Sequence, residues 1–214
     1  MVWLDKCCGE RSSRAGLRRR KLIETARMLF IQNGFHATGI AQIARESGIA
    51  VGQIYRDFSA KEEIVAALVE EDCGRFMDVG TLDAAIAGGD SNAVRAWLRH
   101  FVDPDEDRDG DRLFAEIMAE ASRNERVAAI FVGLQDRFRA NLLAALTILA
   151  PGEEAAAGHA TLADTIMTLS IGLLHHRLIR PTLDMPTLAG ALRSLIDREV
   201  DALRPQAAAF GPGT

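Results

Sequence analysis

The stretch from Thr38 to Lys61, TGIAQIARESGIAVGQIYRDFSAK, constrains the fold of this chain most strongly. Its first half places Ile40, Ile43 and Ala44 at the three- and four-residue spacing that puts apolar side chains on one helical face. Gly48 follows, and glycine adopts the left-handed backbone at a helix end without steric cost. The pattern therefore predicts a short helix that ends at Gly48, where the chain turns.

A second short helix is predicted from about Val51 to Asp57. Ile54 and Phe58 are four residues apart and are expected to face inward together, because that spacing returns to the same side of a helix. The residues expected to face outward are Gly52, Gln53, Tyr55 and Arg56. This outward set is the candidate surface for contact with a partner.

Polar residues mark where the neighbouring helices begin. Thr38 is predicted to cap the first helix of the stretch. Ser59 and Glu62 have the three-residue spacing of a capping box, ahead of an apolar run that starts at Ile64. Two short helices joined by a glycine turn, with one helix before them and another after, are typical of a DNA-binding helix-turn-helix.

Residues Arg20 to about Leu68 resemble the N-terminal domain of the TetR family of bacterial transcriptional regulators. The resemblance is carried by the run IETARMLFIQNGF, by Thr38, by the segments IAQIARESGIA and VGQIYRDF, and by SAKEEI. The family usually has a serine or threonine where this chain has Gly39, and commonly a serine where it has Ala50. The resemblance implies a C-terminal helical domain with a pocket for a small effector, whose binding releases the DNA.

The net charge of −5 is distributed unevenly along the chain. Residues 1–61 carry eleven Lys or Arg against five Asp or Glu, whereas the remaining residues carry 14 against 25. The segment with the helix-turn-helix pattern is therefore basic, and the rest of the chain is acidic. This asymmetry is expected when only one end of a molecule meets phosphate.

The second short helix carries the predicted base contacts. Gln53 is the predicted base reader, because its amide can pair bidentately with adenine. Gly52 permits close approach of the backbone, and Val51 fits the methyl group of thymine. Arg56 fits either a base or a phosphate, and the sequence leaves both roles open.

Phosphate contacts are predicted for Thr38, Tyr55 and Lys61. The threonine and the lysine each lie at the start of a helix, where backbone N–H groups and the positive end of the helix dipole favour an anion. Arg18, Arg19 and Arg20 are further candidates, because a basic arm before a helix-turn-helix can contact phosphates or enter a minor groove.

The first helix is predicted from about Arg18 to Asn33 and ends at Gly34. Its apolar stripe consists of Leu22, Ile23, Ala26, Leu29 and Phe30. The residues before it show no sustained periodicity, so residues 1–17 are predicted to be a flexible basic tail. Cys7 and Cys8 lie in this tail, and a redox role for them stays open.

The remainder of the chain shows helical spacing and no strand-like alternation, so the protein is predicted to be all-α. The predicted organisation is the tail, a three-helix helix-turn-helix DNA-binding domain at 18–65, a helical bundle for effector binding and dimerisation at 66–205, and a flexible tail at 206–214. Gly80 and the Gly88-Gly89 pair predict breaks between helices, and the segment from Val102 to Arg112 predicts an acidic loop.

Two broad apolar helices at the C-terminus predict a homodimer. One spans about Glu153 to Ile179, and the last carries Leu188, Leu192 and Leu195 on one face. Such helices from two copies can pack as a four-helix bundle. A two-fold dimer presents two short helices to adjacent major grooves about 34 Å apart, so the DNA operator is expected to be a near-palindrome.

The effector pocket implied by the resemblance is expected among apolar residues of the C-terminal helices. The candidates are Trp97, Phe101, Phe114, Met118, Phe131, Phe138, Met167 and His175. Aromatic and methionine stripes also fill ordinary cores, so a purely structural role stays open for each. His175 and His176 diverge by about 100° around a helix, and a shared metal ion is therefore not predicted.

A weak calcium-loop pattern is formed by Asp105, Asp107, Asp109 and Glu116. Arg112 departs from this pattern, because such loops normally carry an aliphatic residue there. The pattern supports an alternative function, a calcium- or metabolite-sensing interaction module without sequence-specific DNA binding.

The sequence does not predict an enzyme or a bound cofactor. It contains no nucleophile–base constellation, no phosphate-binding glycine loop and no metal-ligand cluster with catalytic spacing. It also contains no run of 18 apolar residues and no secretory signal pattern, so a cytoplasmic protein without a membrane partner is expected.

Overall fold

Ten α-helices build residues 13–103, 108–180 and 182–204, which are the residues that this computed structural model describes. The helices are α1 (Arg14–Asn33), α2 (Ile40–Ser47), α3 (Val51–Asp57), α4 (Lys61–Met77), α5 (Val79–Ala87), α6 (Ser91–His100), α7 (Arg108–Ala121), α8 (Glu125–Leu149), α9 (Ala156–Ile179) and α10 (Met185–Ala202). A short 3-10 turn, Glu153–Ala155, precedes α9. These ranges contain no strand, which confirms the all-α prediction.

The helices form two compact units. Of the described residues, 13–76 and 109–134 form the first unit, and 77–103, 108, 135–180 and 182–204 form the second. Most of α7 and the first part of α8 therefore fold with the helix-turn-helix. The domains predicted from the sequence, 18–65 and 66–205, are continuous segments and do not include this grouping. Helix α8 belongs to both units.

Helix α1 begins at Arg14, four residues before the predicted start. The reason is Ser13, whose hydroxyl oxygen accepts a hydrogen bond from the Gly16 N–H at 3.0 Å and so caps the helix. All five residues of the predicted apolar stripe are buried. Residues 14–17, assigned to the flexible tail from the sequence, are helical, while Cys7, Cys8 and the rest of residues 1–12 lie outside the described ranges.

The predicted start of α2 is wrong by one residue. Gly39 occupies the N-cap position, and no side chain caps the helix. Thr38 is instead fully buried, and its hydroxyl donates to the carbonyl oxygens of Leu29 at 3.2 Å and Gly34 at 2.9 Å. The end of α2 agrees with the prediction, since Gly48 adopts the left-handed conformation at φ 68°.

Helices α3 and α4 follow the sequence pattern closely. The bounds of α3 are those predicted, and Ile54 and Phe58 are buried. At the start of α4, however, Ser59 pairs with Glu63 and not with Glu62: the Ser59 N–H donates to Glu63 Oε2 at 2.8 Å, and its hydroxyl donates to the other carboxylate oxygen. These two bonds lower the pKa of Glu63.

Two predictions about loops are wrong. Gly80 lies inside α5, which Asp78 caps by accepting from the Thr81 N–H at 3.4 Å. The segment predicted as an acidic loop ends sooner than expected, because α7 already begins at Arg108. Acidic residues favour the first turn of a helix, where they meet its positive dipole end, and α7 has Asp109 and Asp111 there.

In the second unit, α10 is attached to α6 and its C-terminal flank by ion pairs. Arg95 and Arg99 of α6 both contact Asp197 of α10, the latter at 2.8 Å. Arg193 of α10 pairs with Asp103 at 2.5 Å. Helix α10 also packs against α9, so that both C-terminal helices belong to one bundle.

In the first unit, α1 and α7 meet where α1 ends. Gly34 has φ 81°, and a Cβ built on it would lie 2.8 Å from Glu116 Oε1 of α7. The missing side chain lets this carboxylate reach the backbone beyond the helix, where it accepts the Phe35 N–H at 2.7 Å. Gly34 therefore serves two purposes: it ends the helix at a positive φ that other residues rarely adopt, and it leaves room for Glu116.

Gly34→Ala is expected to lower the free energy of unfolding by about 2 kcal/mol, because alanine is strained at positive φ and its Cβ would displace Glu116. Gly74→Ala in α4 is the matched control, since a Cβ there meets nothing within 4 Å. The control is expected to leave stability unchanged or to raise it by up to about 1 kcal/mol. Urea unfolding followed by circular dichroism measures both, and equal effects of the two substitutions would contradict the assigned role of Gly34.

Candidate nucleic-acid interface

Helix α3 presents an exposed face on a buried anchor. Ile54 is fully buried and Phe58 is 3% exposed, which fixes the helix against the rest of the first unit. On the other side Val51 is 41% exposed and Tyr55 54% exposed. Gly52 and Arg56 are also exposed, so the predicted outward set is on the surface apart from Gln53, which is half-buried.

Gln53 is restrained by a residue of its own helix. Its Nε2 donates to Asp57 Oδ1 at 3.1 Å, across one helical turn. No role is predicted for Asp57 from the sequence. The four-residue spacing of Gln53 and Asp57 is a recognised pairing on helices, and this contact could have been predicted from it.

The arginines predicted as a basic arm lie on α1, and two of them contact the end of α3. Arg18 Nε donates to Asp57 Oδ2 at 3.1 Å, and Arg18 Nη2 donates to Asp57 Oδ1 at 3.2 Å. The guanidinium of Arg19 lies over the ring of Phe58, 4.8 Å from its centroid. Arg20 is exposed on the same helix. These arginines are thus held on a helix and not in an unstructured tail.

The ion pair between Arg18 and Asp57 changes the acidity of both groups. The hydrogen bond from Arg18 lowers the pKa of Asp57, and the bond from Gln53 lowers it further. The same hydrogen bond raises the pKa of Arg18. Asp57 is therefore a carboxylate at neutral pH.

Lys61 connects the start of α4 to the loop before α2. Its Nζ donates to the carbonyl oxygens of Phe35 at 2.6 Å and Thr38 at 2.9 Å, and it lies 3.9 Å from the centroid of the Phe35 ring. Burial lowers the pKa of this ammonium group. Of its three hydrogens at most one remains for a phosphate. Thr38 and Lys61, both predicted phosphate contacts, thus direct their side chains into the protein.

A second set of contacts attaches α7 and the start of α8 to the helix-turn-helix within the first unit. Besides the bond from Phe35 N–H to Glu116, the Asn124 side chain donates to Glu62 of α4 and to Glu120 of α7, both at 3.2 Å. Glu120 is buried and also pairs with Arg123 at 3.0 Å. Of these polar residues, only Glu62 and Glu116 have a role predicted from the sequence, Glu62 in a capping box and Glu116 in the calcium pattern, and neither prediction anticipates these contacts.

The residues predicted to line an effector pocket fall into both units. Trp97, Phe101 and Phe138 form an edge-to-face cluster in the second unit, with centroid distances of 4.6 Å and 4.5 Å, and the Trp97 indole donates to the Met77 carbonyl at 2.8 Å. Phe114 and Phe131 pack at 5.2 Å in the first unit.

The remaining pocket candidates are less enclosed. Met118 is 37% exposed, His175 is exposed and Met167 is half-buried. Only the cluster of Trp97, Phe101 and Phe138 is therefore both contiguous and buried in a single unit.

The calcium-loop pattern does not form a loop over its second half. Asp105 and Asp107 lie outside the described residues, while Asp109 and Glu116 belong to one helix. Seven residues of helix separate them by about 10 Å along the axis, too far for a single ion. Glu116 is moreover engaged with the Phe35 N–H, and no group of three or more metal-binding side chains occurs in the described ranges.

None of the helices in the described parts of the chain is both long enough and apolar enough to cross a membrane.

Two family models match the chain. The model of bacterial regulatory proteins of the TetR family matches residues 22–68, and the model of the C-terminal domain of BetI-type transcriptional repressors matches residues 91–205. The first covers the helix-turn-helix, and the second covers more than half of the chain.

Among characterised relatives, the HTH-type transcriptional regulator UidR of Escherichia coli strain K12 is 31% identical over 113 residues. The match covers 52% of this chain and 56% of UidR, so the chain aligns with only about half the length of this relative.

Two solved structures have the same fold. A transcriptional regulator from Pseudomonas aeruginosa PAO1 superimposes with a TM-score of 0.73 at 21% identity, over 91% of this chain and 93% of its own. A regulator from Saccharomonospora viridis, solved in complex with choline, superimposes with a TM-score of 0.63 at 19% identity, over 84% of this chain and 95% of its own. The BetI-type model matches more than half of the sequence, and together with the match of the TetR-family model to residues 22–68 it shows that the chain belongs to the TetR family of bacterial transcriptional regulators.

Proposed function

We propose that this regulator is a homodimeric repressor that binds a near-palindromic operator and is released by a small-molecule effector. The observation that carries the proposal is the exposed face of α3, which presents Val51, Gly52, Tyr55 and Arg56. Buried Ile54 anchors the same helix to the rest of the unit. A short, rigidly anchored helix with an exposed face is the geometry that enters a major groove. Proteins of this family regulate transcription and are not enzymes.

The roles within the interface follow from chemistry and exposure. Gln53 and Val51 face bases, Gly52 allows close approach, and the Tyr55 hydroxyl contacts a phosphate. Arg18 and Arg19 contact the end of α3 and so hold α1 beside its exposed face. The exposed side of α1, which includes Arg20, therefore adds positive charge next to that face. Lys61 holds the loop before α2 in place, and at most one of its N–H groups remains to contact a phosphate.

Dimerisation is assigned to α9 and α10. Ala189, Ile196 and Val200 of α10 are buried within the chain. Other apolar side chains of these two helices are only half-buried within the chain. They are Leu188, Leu192 and Leu195 on α10, and Met167, Ile171, Leu174 and Leu178 on α9. Packing these faces against a second copy would remove apolar surface from water at about 25 cal/mol per Å². A four-helix bundle is the arrangement that such faces favour.

The effector site is assigned to the second unit, where Trp97, Phe101 and Phe138 cluster. Release of DNA requires that the effector binds the DNA-incompetent form more tightly, and DNA then weakens effector binding by the same factor. Helix α8 is a candidate connection, because Glu125–Leu134 belong to the first unit and Gln135–Leu149 to the second.

The effector assignment is tested with choline, the ligand of the Saccharomonospora viridis structure, as the first probe. A ligand that raises the unfolding midpoint and weakens operator binding supports the assignment, provided that operator DNA weakens ligand binding by the same factor. A ligand that stabilises the protein without changing operator affinity contradicts its role as the effector.

The alternative function, a calcium-sensing or metabolite-sensing module without DNA binding, is not favoured. Asp109 and Glu116 are in one helix and do not converge on an ion, and the family of the chain consists of DNA-binding regulators. We place the protein in the cytoplasm, where its operator would be.

DNA binding is tested with duplexes from the region upstream of the chain's own gene. Arg56→Ala is expected to weaken binding about tenfold, since single base or phosphate contacts contribute about 1–3 kcal/mol. The salt dependence then decides the role of Arg56, because loss of a phosphate contact lowers the slope of log K against log salt by about 1 and loss of a base contact does not. Arg126→Ala is the control, an exposed arginine in the first turn of α8. If no such duplex binds at low salt, the proposed function is wrong.

Dimerisation is tested with Leu192→Glu, which places a charge in the half-buried stripe of α10. We expect the variant to sediment as a monomer and to lose operator affinity at least about tenfold, because each copy then binds a half-site alone. Ser194→Glu is the control, since Ser194 is exposed and lies about 200° around the helix from Leu192. A Leu192→Glu variant that stays dimeric would place the interface elsewhere.

A further inference from the structure

An acidic residue occupies the last position of the helix that we propose for the major groove. The Asp57 side chain is 16% exposed and accepts three hydrogen bonds. Two come from Arg18, at 3.1 Å to Oδ2 and 3.2 Å to Oδ1, and the third comes from Gln53 Nε2, at 3.1 Å to Oδ1. A carboxylate in a surface that meets phosphate needs a counter-ion, and Arg18 is that counter-ion.

The carboxylate determines the orientation of the Gln53 amide. An ionised carboxylate only accepts hydrogen bonds, so the amide nitrogen must face Asp57 and the amide oxygen must face away from it. A glutamine without such a neighbour can rotate its amide by 180° and exchange donor and acceptor. In this chain the exchange would bring Oε1 against the Asp57 oxygens and is therefore disfavoured.

The fixed amide has a consequence for base recognition. Its Oε1 is available as an acceptor, and the second hydrogen of Nε2 is still available as a donor on the same edge. Adenine offers the matching pair in the major groove, an N6 amino donor and an N7 acceptor. Guanine offers two acceptors, O6 and N7, and O6 would face the amide oxygen.

On the basis of the proposed DNA-binding function, we propose that Asp57 is a positioning residue that fixes the polarity of the Gln53 amide and makes the protein select adenine over guanine. Asp57 acts through Gln53 and needs no base contact of its own. Arg18 keeps the carboxylate from repelling the DNA, so its removal weakens binding to all sequences without changing the preferred base.

The experiment first identifies the base pair that Gln53 reads. Operators selected by the wild-type protein are altered one pair at a time from A·T to G·C, and the affinities of the wild-type protein and of Gln53→Ala are measured for each. The pair that Gln53 reads is the one whose alteration weakens binding by the wild-type protein but not by Gln53→Ala. At that pair the wild-type protein is expected to prefer A·T at least about tenfold.

The test is the isosteric variant Asp57→Asn, whose amide can accept from or donate to Gln53 and so leaves both orientations open. Its preference for A·T at this pair is expected to fall to about threefold or less, although its affinity for all duplexes rises because a negative charge is lost. Arg18→Met is the matched variant, which is expected to bind all duplexes more weakly and to keep the preference. The double variant Asp57→Asn with Gln53→Ala is expected to show the same base preference as Gln53→Ala alone.

Two outcomes overturn the inference. One is an A·T preference in Asp57→Asn that equals that of the wild-type protein. The other is a double variant whose loss of A·T preference is the sum of the losses in the two single variants. Asp57→Ala, which removes the partner entirely, repeats the test if Asp57→Asn does not fold, and the same two outcomes apply. Failure of the wild-type protein to bind any duplex would instead contradict the proposed function, so the two failures are distinguishable.

Discussion

The burial of Ile54 and Phe58 is the interaction on which the candidate interface depends. Helix α3 has only seven residues, and isolated helices shorter than about 12 residues are marginal in water. Packing of these two side chains, together with the contacts of Arg18 and Arg19 with the end of the helix, holds α3 in one orientation. The exposed side of α3 can then meet DNA as a preformed surface, so little ordering entropy is lost on binding.

The sequence was sufficient for features that depend on local spacing. The bounds of α3, the left-handed conformation of Gly48 and the buried stripe of α1 all follow from periodicity and from glycine chemistry, and the structure confirms them. Helix α5 was missed because it has only nine residues and contains Gly80, so that a turn signal outweighed a short apolar pattern.

Features that depend on distant partners were not predictable in this way. The Thr38 hydroxyl bonds to carbonyl groups at the end of α1, and the Lys61 ammonium reaches backbone atoms 26 and 23 residues away. From the sequence alone both residues looked like surface groups at helix starts. Glu116 likewise matched a calcium pattern, although its partner is the Phe35 N–H, which is 81 residues away. The role of Asp57 combines a local contact with Gln53 and a distant one with Arg18, and only the first was visible in the spacing.

Methylation protection of guanine N7 along a bound operator tests most directly whether α3 enters the major groove as one half of a two-fold reader. A dimer with two α3 helices predicts two protected major-groove patches on one side of the duplex, centred about 34 Å or 10 base pairs apart. Protection spread evenly along the duplex, or confined to a single patch, would contradict this arrangement.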